Sequence, residues 1–309
     1  MASKCTVCGA SDNVGVMRKT NDGRGRGEIS LRRCRRCGVV FLESGSAGYD
    51  LGLYSYYEEK KSLAKSEIYN PITEAGLTAL LHWLAKRSPG RRVLDVGCGY
   101  GHFVDVALQA GFEVMGIEVS ESAVSVCRSF SLPVVQMDIF SPELERESYD
   151  ICTLFEVLEH VPEPAKILAR AEELLRPGGV LYLTTPNFAC LDRRFLGEGW
   201  RVVNREHLTY FEPKTLRETV LTHTRFKLEW LRTKNMSLHA LKTFVARCTG
   251  ETLDDPRGRV EREKTQKLRT IVQGSMALKK MRDIVNFGLN ATGTGSSLAA
   301  LLRKPRSGE

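Results

Sequence analysis

A glycine-rich turn carries the first residues whose types and spacing could do chemistry. Gly97, Gly99 and Gly101 follow the apolar run 93–96, which predicts a buried strand, and precede the amphipathic stretch 103–110, which predicts a helix. A turn of this kind leaves its backbone bare, so a compact ligand group could lie directly against it. The strand, turn and helix together indicate half of a nucleotide-binding βαβ unit.

Two acidic residues stand at the ends of the predicted strands around that turn. Asp95 lies at the end of the first strand, where its carboxylate could meet an ammonium group. Glu118 ends a second predicted strand, residues 112–117, and lies 21 residues after Gly97. A carboxylate at that place could accept both hydroxyls of a ribose.

The spacing of the glycines distinguishes two kinds of nucleotide site. A dinucleotide-binding fingerprint would have its third glycine at the position of His102. The pattern D-x-G-x-G-x-G with a later acidic residue instead resembles motif I of class I S-adenosylmethionine (SAM)-dependent methyltransferases. That resemblance implies SAM binding by Asp95, Gly97, Cys98, Gly99, Gly101, Glu118, Val119, Asp138, Ile139 and Phe155. Within this set, Asp138 and Ile139 would hold the adenine.

Four cysteines form two C-x-x-C-G units near the N-terminus. Cys5 and Cys8 make the first pair and Cys34 and Cys37 the second, and two matched pairs could hold one tetrahedral Zn²⁺ through four thiolates. The glycine-rich stretch 21–27 predicts a hairpin tip between them. A redox dithiol is the alternative, but it accounts for only one pair. We expect a closed, structural zinc site.

A second group of polar residues follows the predicted fourth strand. Glu156, Glu159 and His160 would share one face of a helical turn at the carboxyl end of that strand, where open α/β sheets bind ligands. With His207, this E-x-x-E-H arrangement resembles the divalent-metal site of small-RNA 3′-terminal 2′-O-methyltransferases and, less closely, ubiquinone-pathway O-methyltransferases. One hypothesis is therefore that Glu156, Glu159, His160 and His207 bind Mg²⁺ or a similar ion. The other is that His207 or His160 is a metal-free general base, with Glu156 beside it in the catalytic site.

The elements that must position these residues alternate regularly along the chain. Their order predicts a doubly wound, mostly parallel seven-stranded α/β sheet of the Rossmann-like methyltransferase class. The predicted elements after Glu118 are helix 122–130, strand 133–137, strand 149–155, helix 166–175, the turn 177–179, strand 180–185, helix 214–222, strand 226–233 and a final strand in 296–305.

The chain of 309 residues divides into three predicted parts. Residues 1–43 form a zinc-ribbon-like module, and 44–71 a linker whose tyrosines at 49, 54, 56 and 57 either cover the catalytic cleft or are merely exposed. Residues 72–309 form the methyltransferase domain, with a helical insertion at 235–292 before the last strand. The order of these parts also resembles methyltransferases of surface-glycan and natural-product pathways. Since the sugar C-methyltransferases of that group carry a further C-terminal domain that this chain lacks, we expect O-methylation.

Charge is distributed unevenly along the chain. Residues 1–37 hold nine Lys/Arg against three Asp/Glu, and residues 257–306 hold twelve against three, within a total net charge of +8. The basic ends could contact an anionic acceptor, a membrane surface or a nucleic acid, or could simply be solvated. The sequence shows no apolar run of the ~20 residues that a membrane helix requires and no signal-peptide pattern, so we expect a cytoplasmic protein.

The combined expectation is a SAM-dependent methyltransferase that methylates a hydroxyl of a sugar, a glycan precursor or another small molecule. Arg24, Arg26, Arg32, Arg33, Arg35 and Arg36, with the metal analogy, support the alternative of an RNA methyltransferase. Aromatic residues that could stack on bases are missing from the Gly/Arg loop, so this ranks second. A third alternative is a zinc-ribbon protein that retains SAM without turning it over. The sequence leaves the oligomeric state and the exact acceptor open.

Overall fold

The structure is a computed structural model that describes residues 4–11, 14–22, 24, 27–43, 63–69, 71–237, 240 and 276–309. The tyrosines at positions 49, 54, 56 and 57 lie outside the described residues, as does most of the predicted insertion. None of the helices in the described part of the chain has the length and hydrophobicity of a membrane-spanning segment.

The centre of the fold is a seven-stranded sheet that confirms the predicted α/β class. Its strands are β4 (Arg92–Val96), β5 (Glu113–Glu118), β6 (Val134–Gln136), β7 (Tyr149–Phe155), β8 (Leu175–Pro186), β10 (Lys227–Lys234) and β11 (Ser297–Arg303). They lie in the order β10-β11-β8-β7-β4-β5-β6. Strands β8, β7, β4, β5 and β6 are parallel to one another, while β11 is antiparallel to both of its neighbours. The strand order reverses between β4 and β7, and ligands bind at the carboxyl ends of strands at such a switch point.

Helices cover both faces of this sheet, and buried aliphatic side chains fill the space between the layers. The helices are α1 (Lys65–Ile68), α2 (Pro71–Ala85), α3 (His102–Gln109), α4 (Glu121–Ser129), α5 (Pro164–Leu174), α6 (Leu191–Leu196), α7 (Pro213–His223) and α8 (Met276–Thr292), with a short 3₁₀ turn at Gly197–Gly199. Within the predicted insertion, α8 is the helix that the structure describes, and its residues Leu289 and Asn290 hydrogen-bond to Thr233 of β10.

Strand β8 differs from the prediction, because it begins five residues earlier than expected. Leu175 pairs with Tyr149, but Val180 already pairs with Ile151, so residues 176–179 loop out opposite Asp150 alone. The Pro-Gly-Gly sequence therefore makes a bulge inside a strand instead of a turn before it. Arg176 stabilises the bulge by reaching back to the carboxylate of Asp150 at 3.2 Å.

A second, four-stranded sheet joins the N-terminal residues to the larger domain. It contains the predicted hairpin of β1 (Val14–Asn21) and β2 (Glu28–Cys34), followed by β3 (Val40–Leu42) and β9 (Thr209–Tyr210). Strand β9 belongs to the part of the chain that follows β8, and Val40 and Phe41 pair with it directly. The N-terminal module, defined here as residues 4–43, thus shares a sheet with residues next to His207.

Candidate functional site

The glycine turn after β4 adopts a conformation that favours glycine at three positions. Gly97, Gly99 and Gly101 have positive φ angles of 68°, 53° and 74°. A Cβ atom on Gly97 would lie 2.8 Å from the side chain of Val157, so this position has no room for one. A Cβ on Gly101 would instead meet Leu132, which places Gly101 against the core and away from the cavity described below.

The carboxylate of Glu118 is buried and held at both oxygens. Oε2 accepts a hydrogen bond from the amide of Gly99 at 3.0 Å, and Oε1 accepts one from the amide of Ser120 at 2.9 Å. Each carboxylate oxygen can accept a further bond. The side chain is therefore fixed beside the glycine turn with acceptor capacity left for two hydroxyls.

The carboxyl group of Asp95 lies in the same cavity and is desolvated. Burial raises its pKa to about 7, while a 2.6 Å hydrogen bond from Thr153 Oγ1 acts in the opposite direction and the charge of Glu118 adds to the rise. A buried carboxyl group of this kind gains most from a cationic partner. The position fits the ammonium group that the sequence predicted for it.

These residues line one cavity of about 620 Å³. Its walls include the predicted residues Asp95, Gly97, Cys98, Gly99, Glu118, Val119, Phe155, Glu156 and His160. Ile68, Tyr69, Thr73, Leu77, Tyr100, His102, Phe103, Val157, Val161 and Glu206 complete the lining.

The wall formed by Tyr69 and His102 was not identified from the sequence. The two rings stack at 4.3 Å between centroids and 11° between planes, and Tyr69 donates a hydrogen bond to the Tyr100 carbonyl at 2.7 Å. Lys65 adds an ion pair with Asp105 at 2.6 Å. The end of the predicted 44–71 linker thus packs against the glycine turn. The aromatic residues of this linker are the sequence feature that could have indicated the contact.

The two residues predicted to hold adenine do not line the cavity. Ile139 is buried in the core, and Asp138 is exposed, with Oδ1 accepting a hydrogen bond from the Phe140 amide at 2.8 Å. Val119, which does line the cavity, leaves about half of its surface exposed at the edge. A role for Asp138 and Ile139 in binding adenine stays a prediction.

The polar residues after β7 form a turn instead of one face of a helix. Glu156 has a positive φ of 55°, and the His160 amide bonds to the Val157 carbonyl at 3.0 Å. Because of this turn, only three of the four predicted ligands converge: Glu159, His160 and His207 each offer one atom, and these atoms lie within 4.8 Å of one another. Glu156 stands beside that group and shares a hydrogen bond with Glu159.

Burial controls the protonation of this group. It raises the pKa of both Glu156 and Glu159, and the charge of Glu156 raises the pKa of Glu159 further. It lowers the pKa of His160 and takes that of His207 well below the usual range. Both imidazoles are therefore neutral near pH 7 and able to accept a proton or bind a metal ion.

His207 has an unusual environment. Its ring meets that of His160 edge to face at 4.6 Å between centroids, and its Nδ1 is buried without a hydrogen-bond partner among the described residues. His160 is held by its Nδ1, which lies 3.0 Å from the Glu206 carbonyl. Because buried polar groups in proteins are usually hydrogen-bonded, this nitrogen is a candidate functional atom.

The four N-terminal cysteines converge as the sequence predicted. Cys5 Sγ lies 3.6 Å from Cys37 Sγ, and Cys8 Sγ lies 3.5 Å from Cys34 Sγ. Tetrahedral coordination with Zn–S bonds of about 2.3 Å requires sulfur atoms roughly 3.8 Å apart, so the spacing fits zinc. Gly9 and Gly38, both at positive φ, close the two matching turns.

The sheet order, the glycine turn after its first parallel strand and the acidic end of the next strand define a class I methyltransferase domain. Residues 70–223 match the family model described as a methyltransferase domain. The chain therefore carries a class I SAM-dependent methyltransferase domain, as the sequence predicted.

Curated relatives of the chain are ubiquinone biosynthesis O-methyltransferases. That of Hahella chejuensis is 40% identical over 106 residues, which cover 32% of this chain and 44% of the relative. That of Xanthomonas campestris pv. campestris is 35% identical over 158 residues, or 48% of this chain and 64% of the relative. The chain thus spans about half the length of the first curated relatives it matches.

The fold is also similar to solved structures. A SAM-dependent methyltransferase from Archaeoglobus fulgidus aligns with 82% of this chain and 100% of its own, with a TM-score of 0.49 and 17% identity.

Proposed function

We propose that this protein transfers the methyl group of SAM to a hydroxyl group of a small molecule. The observation that carries the proposal is that one cavity is lined both by Glu118 and the glycine turn, called here its SAM end, and by Glu156, His160 and Glu206, called here its polar end. Its volume suits a small-molecule site. The O-methyltransferase names of the curated relatives support a hydroxyl acceptor.

The chain's own residues have two tasks in this reaction. When bound, SAM would supply an electrophilic methyl carbon on its sulfonium, which the acceptor oxygen would attack in line while S-adenosylhomocysteine leaves as a thioether. Asp95 and Glu118 hold the amino-acid and ribose parts, which fixes the sulfonium relative to the polar end of the cavity. His207 or His160, kept neutral by burial, takes the proton of the acceptor hydroxyl.

A divalent ion at Glu159, His160 and His207 is the second version of this mechanism. The convergence of their ligand atoms within 4.8 Å supports it. One carboxylate and two imidazoles suit Mn²⁺, Fe²⁺ or Zn²⁺ better than Mg²⁺, which prefers six oxygen ligands. The ion would lower the pKa of a bound acceptor hydroxyl.

The acceptor that we propose is a sugar, a glycan precursor or another small hydroxyl compound. The structure gives one reason to rank RNA lower, because three arginines of the basic hairpin already have partners. Arg24, Arg32 and Arg33 form ion pairs with Glu206, Glu43 and Glu212. Fewer of the basic residues are then available for phosphates than the sequence indicates.

Incubation of the protein with methyl-tritiated SAM and separate small-molecule, lipid and RNA extracts tests this proposal. We expect label in the small-molecule fraction. Label in the RNA fraction would support the alternative of an RNA methyltransferase, and binding of SAM without transfer to any fraction would support a SAM-binding protein without turnover.

The pKa of Asp95 makes SAM affinity depend on pH. Since its pKa is raised to about 7, the carboxyl group gains its negative charge, and its attraction for the SAM ammonium group, as pH rises. We expect SAM to bind roughly tenfold more tightly at pH 7.0 than at pH 5.5. Both values lie below the pKa of ~7.7–8.0 of an α-amino group, so the SAM ammonium group stays charged over this range. Calorimetric titrations across this range measure the effect, and Asp95→Asn should bind weakly at every pH.

We further propose that Cys5, Cys8, Cys34 and Cys37 hold one structural Zn²⁺. Because structural zinc contributes about 10 kcal/mol or more to the folding of isolated modules, protein purified without chelator should retain it. Elemental analysis should give one zinc per chain, and Cys34→Ser should lose it. Cys190→Ser, which removes a buried cysteine outside the cluster, is the matched control. Zinc-free wild-type protein would exclude the site.

A further inference from the structure

The N-terminal module reaches the polar end of the cavity through the tip of its β1–β2 hairpin. Arg24 at this tip forms an ion pair with Glu206, with Nη1 2.7 Å from Oε2 and 2.8 Å from Oε1. The Glu206 side chain is only 4% exposed, whereas that of Arg24 is 40% exposed. Glu206 lines the cavity, so a residue of the N-terminal module neutralises a carboxylate of the candidate site.

The backbone of Glu206 connects this ion pair to the histidines. Its carbonyl oxygen lies 3.0 Å from His160 Nδ1, and the next residue in the chain is His207. The amides of Glu206 and His207 both donate to Asn204 Oδ1, at 2.8 and 3.2 Å. A shift of Glu206 would therefore move both imidazoles.

Further contacts hold residues 205–210 between the N-terminal module and the turn after β7. On the module side, Asp22 accepts a hydrogen bond from the Arg205 amide at 3.2 Å, and Thr209 Oγ1 donates to Thr6 Oγ1 at 2.8 Å. On the other side, the amides of Leu208 and Thr209 donate to the Glu159 carbonyl at 2.7 and 3.1 Å. The segment that carries His207 is thus fixed from two directions.

We propose that the N-terminal module contributes to the acceptor site through Arg24. Arg24 is a positioning residue, which holds Glu206 in place and, through Glu206, His160 and His207. The inference rests on the proposed methyl transfer for its catalytic consequence, but its structural part can be measured without any acceptor. Arg24 does not touch the SAM end of the cavity. Its role is to set the geometry that the acceptor meets.

Hydrogen exchange of the full-length protein, followed by mass spectrometry, tests the structural part. In Arg24→Ala, Glu206 loses its ion pair with Arg24, so amides of residues 205–210 should exchange about tenfold faster or more, while those of β4 stay protected. Arg24→Lys should restore most of the protection, because the charge remains. Lys19→Ala, which breaks an exposed ion pair with Glu28 on the same hairpin, is the matched control and should change nothing in 205–210.

Kinetics with the acceptor found in the extract screen test the catalytic part. Arg24→Ala should lower kcat by about tenfold or more and leave SAM affinity unchanged, and Arg24→Lys should recover most of the loss. Unchanged exchange at residues 205–210, or faster exchange with full kcat, would overturn the proposal. If no variant and no wild-type sample transferred a methyl group, the proposed function would fail, and the exchange result would still decide whether Arg24 holds the segment.

Discussion

Replacing His207 by alanine should lower the rate of methyl transfer by ~10²–10⁴-fold, the range typical of a lost general base. His207 is buried beside His160, and burial keeps its imidazole neutral. Its Nδ1 has no hydrogen-bond partner among the described residues. His207 does not itself line the cavity, but its ring contacts that of His160, which does. The SAM end involves other residues, and SAM affinity should therefore remain close to that of the wild type.

Single-turnover rates and calorimetric SAM titrations of the same samples separate the two effects. His223→Ala, which removes an exposed histidine at the end of α7, is the matched control and should keep full activity. Full activity of His207→Ala would contradict His207 both as the general base and as a metal ligand, and would leave His160 as the candidate base.

Metal removal then distinguishes the two versions. If a divalent ion is bound at Glu159, His160 and His207, EDTA should abolish turnover, and added Mn²⁺ should restore it in the wild type alone. If His207 is a metal-free base, activity should survive in EDTA once zinc has been returned to the cysteine site. Zinc must be returned first because β3 of the N-terminal module pairs with β9, which lies next to His207.

The second large effect is expected from Glu118. Glu118→Ala should weaken SAM binding by about a hundredfold, or ~2–3 kcal/mol, because the ribose hydroxyls lose a charged acceptor. The substitution also leaves the amides of Gly99 and Ser120 without the carboxylate that fixes them. Loss of binding would then come from both the missing contact and a looser glycine turn.

Calorimetry with SAM measures this effect, and thermal unfolding checks that the variant is folded. Glu121→Ala removes an exposed carboxylate three residues away and is the matched control. A Glu118→Ala variant that bound SAM as tightly as the wild type would show that the glycine turn and β5 do not form the SAM site.

The strand, glycine turn and second strand that form the proposed SAM end could be predicted from sequence because local patterns determine them. A buried strand, a turn that needs positive φ and a second strand ending in an acid are each encoded within about 30 residues, and the turn geometry at Gly97 and Gly99 agrees with the glycines found there. The order of alternating helices and strands likewise indicated the parallel sheet, with boundaries that mostly agree to within one or two residues.

The polar end was predicted less well because it depends on contacts between distant parts of the chain. The pairing of β3 with β9 joins residues about 170 apart, and no local periodicity signals a two-residue strand. The ion pair between Arg24 and Glu206 joins residues with a similar separation along the chain, so the sequence indicated only a basic hairpin. The chain forms a turn at Glu156 where a helical face was predicted, so three of the predicted ligands converge instead of four.

We propose that one cavity both binds SAM and delivers its methyl group to an acceptor oxygen. Incubation with SAM that carries an isotopically labelled methyl group, followed by mass spectrometry and NMR of the product, tests this claim most directly. We expect one S-adenosylhomocysteine for each methyl transferred and a label attached to oxygen, with both absent in Glu118→Ala at low SAM concentration. A label on carbon or nitrogen, or wild-type protein that binds SAM and transfers nothing, would contradict it.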